Sequence, residues 1–509
     1  MRLLLVYPGN PNIAEKHRGK TRRFPAIGLP VIAALTPQDW DIKIIDEEQG
    51  EDVPYDEGWD LVGISSMTSQ AGRAYDIAAE FKQRGIPVVH GGSHPSVCPE
   101  EAAEHGDSVV VGEAEIAWPQ LLRDWDCGRG TLKKIYQGAA PDDGWYVEPR
   151  RDLVKTSAMM NVVPMVATRG CPYTCSFCSV FSVFGRGYRH RPIEEVAQEI
   201  ERLVDKGHKY FVFLDDNIIG NPKWSREFFK RIAPLGIHWG GQSTLGVAKD
   251  PETIELARKS GCFSLFIGIE SVNQLALRGV RKQFNKPTHY RDQVKVFHDN
   301  GIVIISGLIF GFDEDDAFVF ERTVEVVDAL RIGIANFSLM APLPGTDFFK
   351  QMKAEGRLLT TDWSRYDGGQ VVFKPKLLTP EQLQEGADWA SREFYRTSRI
   401  FNRLLENWQH PLYFMALSTA YKVGHYFHPS GDVARIHPVE KQRLLADFGL
   451  RADVPDWLSN MLGYVEPSTI QSIGKLWTAT KSKLPVLGQK QPNGTASNGT
   501  AAQHVFPAF

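Results

Sequence analysis

Cys171, Cys175 and Cys178 carry the clearest chemistry in this chain. They are three of its six cysteines, spaced C-x3-C-x2-C between Arg169-Gly170 and Ser179. Thiolates this close can all reach one soft metal centre. A closed zinc site needs a fourth cysteine or a histidine, and the nearest histidine, His190, completes no finger-like spacing. Three thiols cannot all pair as disulfides, and nothing in the sequence points to secretion. The reading that remains is a [4Fe–4S] cluster with three irons held by cysteine and the fourth left open.

Such a loop has to be held by a scaffold, and the pattern around it is βα-repeating. Met165 to Thr168 reads as a strand leading into the cysteines. Further apolar strands follow at Lys209–Leu214, Ile237–Gly241, Cys262–Ile269, Ile302–Phe310 and Ile334–Met340, with helix-period stretches between them. Six βα repeats predict an open, partial barrel, short of the eight of a closed one. Polar residues gather at the carboxyl ends of these strands, where such barrels place chemistry: Asp215-Asp216-Asn217, Gln242-Ser243 and Glu270-Ser271. Each also has a purely local reading. The Asp-Asp-Asn run can cap the next helix, and Glu270 can pair with Arg278 or Arg281.

Residues 1–145 alternate strands and helices in the manner of a doubly wound parallel sheet. Strands are expected at Leu3–Tyr7, Asp41–Asp46, Leu61–Ser66, Pro87–His90 and Val109–Val111. Ligands of such sheets bind beyond the carboxyl ends of the strands, which singles out the loops Pro8–Asn12, Ser65–Gln70 and Gly91–Ser96. Residues 146–160 lack a period and read as a linker, 161–355 form the barrel, and 356–484 are mainly helical. Thr379-Pro380 starts a helix expected to run through Leu383–Asn407, and Pro411–Phe427 forms another. The aromatics of these helices either pack on the barrel's open side or form a lid over a large apolar substrate. Residues 485–509 are of low complexity and expected to be disordered.

The cysteine spacing, with Phe177 just before the last cysteine, resembles the signature of radical S-adenosylmethionine (radical SAM) enzymes. The resemblance implies that the open iron chelates S-adenosylmethionine and that reduction yields a 5′-deoxyadenosyl radical. Gly268-Ile269-Glu270-Ser271 is similar to the family's fourth-strand segment, where Glu270 or Ser271 would meet the ribose hydroxyls. Gly307-Leu308-Ile309-Phe310-Gly311 is similar to its fifth-strand G-x-I-x-G, where backbone at Gly307, Ile309 and Gly311 would lie against adenine. The first domain resembles the cobalamin-binding domain that precedes the barrel in one large subgroup. The matching pieces are Tyr7-Pro8, Gly28-Leu29, Val62-Gly63-Ile64-Ser65, Gly91-Gly92-Ser93-His94-Pro95 and Gly112-Glu113. Gly91 and Gly92 would admit a large flat ligand close to the backbone, with Ser65 and Ser93 beside them. The D-x-H-x-x-G motif is absent and His94 does not match it, so a bound cobalamin would lack a histidine below cobalt. The alternative is a domain that keeps the fold and binds no corrinoid.

The two cofactors together imply C-methylation of an unactivated carbon. Rearrangement or cyclisation of a lipid or tetrapyrrole-like substrate is the alternative, and a non-catalytic Fe–S binding or sensing protein is the alternative of another class. The relatives that insert sulfur carry a second three-cysteine set; here Cys98 and Cys127 have no third partner, and Cys262 begins a strand. The implied partners are a small-molecule substrate, large and apolar, and a reductant such as flavodoxin or ferredoxin. A net charge of −3 gives no electrostatic case for nucleic acid. No apolar run reaches the ~18 residues of a membrane span. Reduced thiols and an oxygen-sensitive cluster fit the cytoplasm.

Overall fold

The computed structural model describes residues 1–12, 26–127, 131–140, 147–154, 162–185, 187–404, 407 and 409–425. The expected disordered tail, and much of the helical region before it, lie outside those residues.

The first domain is a six-stranded parallel sheet. Its strands are β1 (Arg2–Tyr7), β2 (Asp41–Asp46), β3 (Leu61–Ser65), β4 (Val88–Gly91), β5 (Ser108–Val111) and β6 (Ile135–Gln137), in the order β2-β1-β3-β4-β5-β6. Leu3, Leu4, Leu5 and Val6 are all buried because β1 is covered on both faces. Leu3 and Leu5 pack with Trp118 and Leu121 of helix Ala114–Cys127, while Leu4 and Val6 pack with Ile77 and Phe81 of helix Ala71–Gln83. That double burial is why β1 reads as a continuous apolar run. The strand order reverses at β1, so the ligand crevice opens between the ends of β1 and β3. The sixth strand was not legible in the sequence: it is a three-residue edge. The expected Gly91–Ser96 loop contains a short helix, Ser93–Val97.

The second sheet is also six-stranded and parallel. Its strands are β7 (Val162–Met165), β10 (Tyr210–Phe213), β11 (His238–Ser243), β12 (Cys262–Glu270), β13 (Val303–Phe310) and β14 (Ile334–Leu339). Between β7 and β10 in sequence, β8 (Thr168–Cys171) and β9 (Gly187–His190) form a separate antiparallel hairpin. The single strand expected over Met165–Thr168 is therefore two. Asp215, just beyond β10, accepts hydrogen bonds from the Ala167 and Thr168 amides and takes them out of the barrel ladder. Helices cover the outer face. In Ile193–Asp205, Val196, Ala197, Ile200 and Leu203 are buried at helical spacing against the strands. The expected helix over Leu383–Asn407 is two, Pro380–Phe394 and Thr397–Leu404. At the break, the Tyr395 hydroxyl donates to the Ala335 carbonyl and accepts from the Ala335 amide on β14. Trp389, Phe394 and Tyr395 are buried in the barrel core rather than exposed as a lid. No helix among the described residues is long and apolar enough to cross a membrane.

Candidate functional site

The cysteine loop leaves β8 at Cys171 and is fixed from both ends. Gly170 donates its amide to Asp216 (3.1 Å), so Asp215 and Asp216 together carry the approach to the cluster loop. Ser176 donates to the Val280 carbonyl (3.1 Å) and accepts from the Phe348 amide (2.9 Å). Phe177 packs against the cluster of Ala276, Val280, Phe312 and Phe373, and Tyr173 stacks on Phe284 at 3.9 Å between ring centroids. The aromatic before the last cysteine is thus the loop's anchor.

Cys175 is buried and Cys171 and Cys178 are half-buried, and three thiols on one short loop suit a cluster that takes three protein ligands and leaves one iron open. Burial pushes the Cys178 thiol up to about 11, so its proton stays until a metal displaces it.

Beside this loop, Lys282 and Glu270 form a buried ion pair (Nζ–Oε1 2.5 Å). Burial works to push the Lys282 ammonium down. The Glu270 carboxylate, and after it the Cys175 sulfur, outweigh burial, and the pKa is raised. Glu270 sits at φ +65°, a strained conformation for a residue with a side chain. The neighbouring glycine explains how the pair fits: a Cβ on Gly268 would meet Lys282 Nζ at 2.8 Å. Neither Arg278 nor Arg281 takes the role of partner to Glu270; Arg281 pairs with Asp347 instead. Lys282 carried no motif signal. Ser271 is buried, its hydroxyl accepting the Asn273 amide at 3.0 Å. Gly307 leaves a bare face between Phe266 and Glu270, whose Oε2 lies 3.7 Å from where a Cβ would stand. Ile309, two residues on, lies at the edge of the Phe312–Phe373 cluster. Gly311 answers to a different need. Its φ is +109°, and a Cβ there would meet Leu383 and Phe373 of the core at 3.1 and 3.2 Å.

The other half of the site is a cavity of about 470 Å³ between the two sheets. It runs from an apolar interior at Leu5, Leu29 and Trp118 to the ends of β3 and β4, where Ser65, Gly91, Gly92 and Ser93 line it, and across to Thr168, Arg169 and Asp216. All four positions expected in the first domain therefore converge. Gly92 is at φ +96°, its missing Cβ facing the backbone of Ser66 at 2.8 Å, while Gly91 has open space on that side.

Residues 165–327 match the Radical SAM superfamily, and residues 22–122 match the B12 binding domain. The chain is 35% identical to bacteriochlorophyllide d C-12(1)-methyltransferase of Chlorobaculum tepidum over 74% of its own length and 84% of that protein's. It is 30% identical to bacteriochlorophyllide d C-8(2)-methyltransferase of the same organism, over 75% and 88% of the two chains. The chain belongs to the cobalamin-binding radical SAM enzymes. Among solved structures, the fold is shared with the cobalamin-dependent radical enzyme OxsB (TM-score 0.63, 14% identity, 95% of this chain and 79% of that one). It is also shared with the methyltransferase TsrM of Kitasatospora setae (TM-score 0.57, 18% identity, 70% and 76% covered).

This radical SAM enzyme is a cobalamin-dependent methyltransferase, and its own residues fit the cofactors that this requires. The three thiols suit the [4Fe–4S] cluster. The open face of Gly91 and the apolar cavity behind it suit a large flat group such as a corrinoid. His94 is fully buried and engages Tyr75 (Nε2 to hydroxyl 3.1 Å). His94, Cys98 and Glu101 each bring one donor atom within 4.8 Å of the others. Hydrogen bonds from Tyr75 and Trp363 (3.1 and 2.8 Å) to Glu101 account for that cluster as a polar contact between the domains.

Proposed function

We propose that this enzyme methylates an unactivated carbon on the periphery of a tetrapyrrole. The observation that carries the reading is the match, over more than four-fifths of their length, to two methyltransferases named for bacteriochlorophyllide d. The partial barrel supports it. Gln242, Phe266 and Ile305 stand in register across β11, β12 and β13 and stay partly accessible, while Ser243, Ile267 and Ile304 beside them are buried. Phe266 and Ile305 give that face an apolar character suited to a large ring.

When bound, the cluster with S-adenosylmethionine supplies a carbon radical that takes hydrogen from an inert C–H bond, and methylcobalamin supplies the methyl group. The chain's own groups position and insulate. Asp215 and Asp216 fix the backbone ahead of Cys171. Lys282 places a positive charge beside Cys175 and Cys178. Glu270 and Ser271 would meet the ribose. Gly307 and Ile309 would present backbone to adenine, with Gly311 setting the turn that ends their strand. In the first domain, Ser65, Gly91, Gly92 and Ser93 would hold the corrinoid, and His94, whose Nε2 engages Tyr75, would not serve as its ligand. The reducing electron would come from a flavodoxin or ferredoxin, in a compartment such as the cytoplasm that keeps the thiols reduced.

The test is anaerobic incubation of the cluster- and cobalamin-loaded protein with methyl-deuterated S-adenosylmethionine, a reductant and bacteriochlorophyllide d, followed by mass spectrometry. The expected product carries one added deuterated methyl group, and the Cys171→Ala, Cys175→Ala, Cys178→Ala triple variant gives none. Cleavage of S-adenosylmethionine with no methylated tetrapyrrole, under conditions that methylate a lipid or peptide instead, would overturn the substrate class.

A further inference from the structure

We propose that Arg169 is a positioning residue that couples the corrinoid cavity to the cluster loop, through a four-charge cluster shared by the two domains. Arg169 stands two residues before Cys171. Its guanidinium pairs with Glu113 at 2.6 Å and also contacts Glu115. Directly across the β8–β9 hairpin, Arg189 donates to the same Glu113, at 3.1 Å to Oε2 and also to Oε1. Both glutamates come from the first domain, at the turn after β5 and the start of helix Ala114–Cys127. They are almost wholly buried, with side-chain exposures of 5% and 7%. Two carboxylates face two guanidiniums, so the cluster is balanced without a ligand.

Its placement gives it a role beyond holding the domains together. Gly112, Glu113, Glu115, Arg169 and Asp216 all line the corrinoid cavity. Asp216 also takes the Gly170 amide, one residue from Cys171. Gly170 itself is at φ +82°, and a Cβ there would run into the Gly187 carbonyl; it lies between Arg169 and Cys171 on the strand paired with β9. A ligand that settles into the cavity and fixes Glu113 and Glu115 therefore fixes Arg169, and through it the start of the cluster loop. S-adenosylmethionine bound at that loop acts on the same chain of contacts in reverse. Coupling of this kind is reciprocal: each ligand changes the other's affinity by the same factor.

The test uses the full chain with its cluster reconstituted anaerobically, without reductant, so that no turnover occurs. Hydroxocobalamin is titrated by absorbance with and without saturating S-adenosylmethionine, and S-adenosylmethionine by calorimetry with and without cobalamin. In the wild type each ligand is expected to shift the other's Kd by about fivefold or more, equally in both directions. In Arg169→Met and in the isosteric Glu115→Gln the factor should fall to about one while iron content stays at the wild-type level, with Arg169→Lys intermediate. Because Glu115→Gln removes a charge without changing shape, it reports even where Arg169→Met fails to fold. A purely structural pair would lower stability and leave the factor unchanged. A wild-type factor of one, or a wild-type factor retained in Glu115→Gln, overturns the proposal. Methylation is not measured, so failure here is distinct from failure of the tetrapyrrole reading.

Discussion

Gly92→Ala tests whether the β4 loop is built for close approach. Gly92 lies at φ +96°, and an added Cβ would stand 2.8 Å from both the amide nitrogen and the carbonyl oxygen of Ser66. With ψ at −171° the conformation is one that essentially only glycine adopts, and it costs roughly 1–3 kcal/mol for a residue with a side chain. Relieving the contact needs a shift of several tenths of an ångström between the ends of β3 and β4. That shift strains Ser66 N–H to Gly91 O (3.0 Å) and His94 N–H to Ser66 O (3.1 Å), each worth about 1 kcal/mol. The cavity wall can relax when empty, so about 2–4 kcal/mol returns as a binding penalty, roughly 30- to 1000-fold in cobalamin Kd. Gly91→Ala is the control. Its Cβ would meet only Val110 O, at 4.0 Å, so the fold should tolerate it. Any loss of affinity in that variant reports contact with the corrinoid itself. Absorbance titration of hydroxocobalamin into the two anaerobic variants measures both. A Gly92→Ala variant that binds within about threefold of wild type would refute the strain argument.

Two further outcomes are expected. Lys282→Met leaves Glu270 buried and unpaired and should cost about 3–5 kcal/mol of barrel stability by urea denaturation, most of it recovered when Glu270→Gln is added; a single variant as stable as wild type would remove the pair from the account. Burial, followed by the charges of His105 and His94, pushes the His90 imidazole down from 6.5 to about 4. The folded state therefore prefers the neutral ring, and His90 stabilises the first domain above pH 6.5 and loses that contribution as pH falls towards 4. His90→Phe should flatten the acid limb of a stability-against-pH curve over that window, and an unchanged limb would show that the titration lies elsewhere.

The parts of this site legible in the sequence are those made by local pattern. Three cysteines in one loop, apolar runs ending in Gly-Gly or Glu-Ser, and strands alternating with helices identify both sheets and place Ser65, Gly91, Gly92 and Ser93 on one cavity. The hairpin that carries Cys171 was not legible, because its separation from β7 depends on Asp215, 47 residues from Thr168, capturing backbone amides. Burial raises that carboxyl to about 7, so only the amides it accepts reveal its structural use. Lys282 was equally hidden: twelve residues from Glu270, it becomes a partner only once the strand end turns at φ +65°. The local alternatives, Arg278 and Arg281, are closer to Glu270 in sequence, yet Arg281 pairs with Asp347 and Glu270 with Lys282.

The same physics explains why the charges between the domains escape a reading by motif. Glu113 meets Arg169 and Arg189 across 56 and 76 residues, and each looks, within its own segment, like an ordinary surface charge. Burying four charges is justified only if they neutralise one another at short range, since an unpaired carboxylate there would cost several kcal/mol. That condition is met only when the two parallel sheets face each other end to end. The carboxyl ends of β3, β4 and β5 then approach the hairpin that bears the cluster, with Glu113 and Arg169 as the shared wall. Two cofactors that must exchange between one substrate carbon need their distance fixed more tightly than a linker can fix it. A balanced ion cluster supplies that constraint because it resists displacement in either direction.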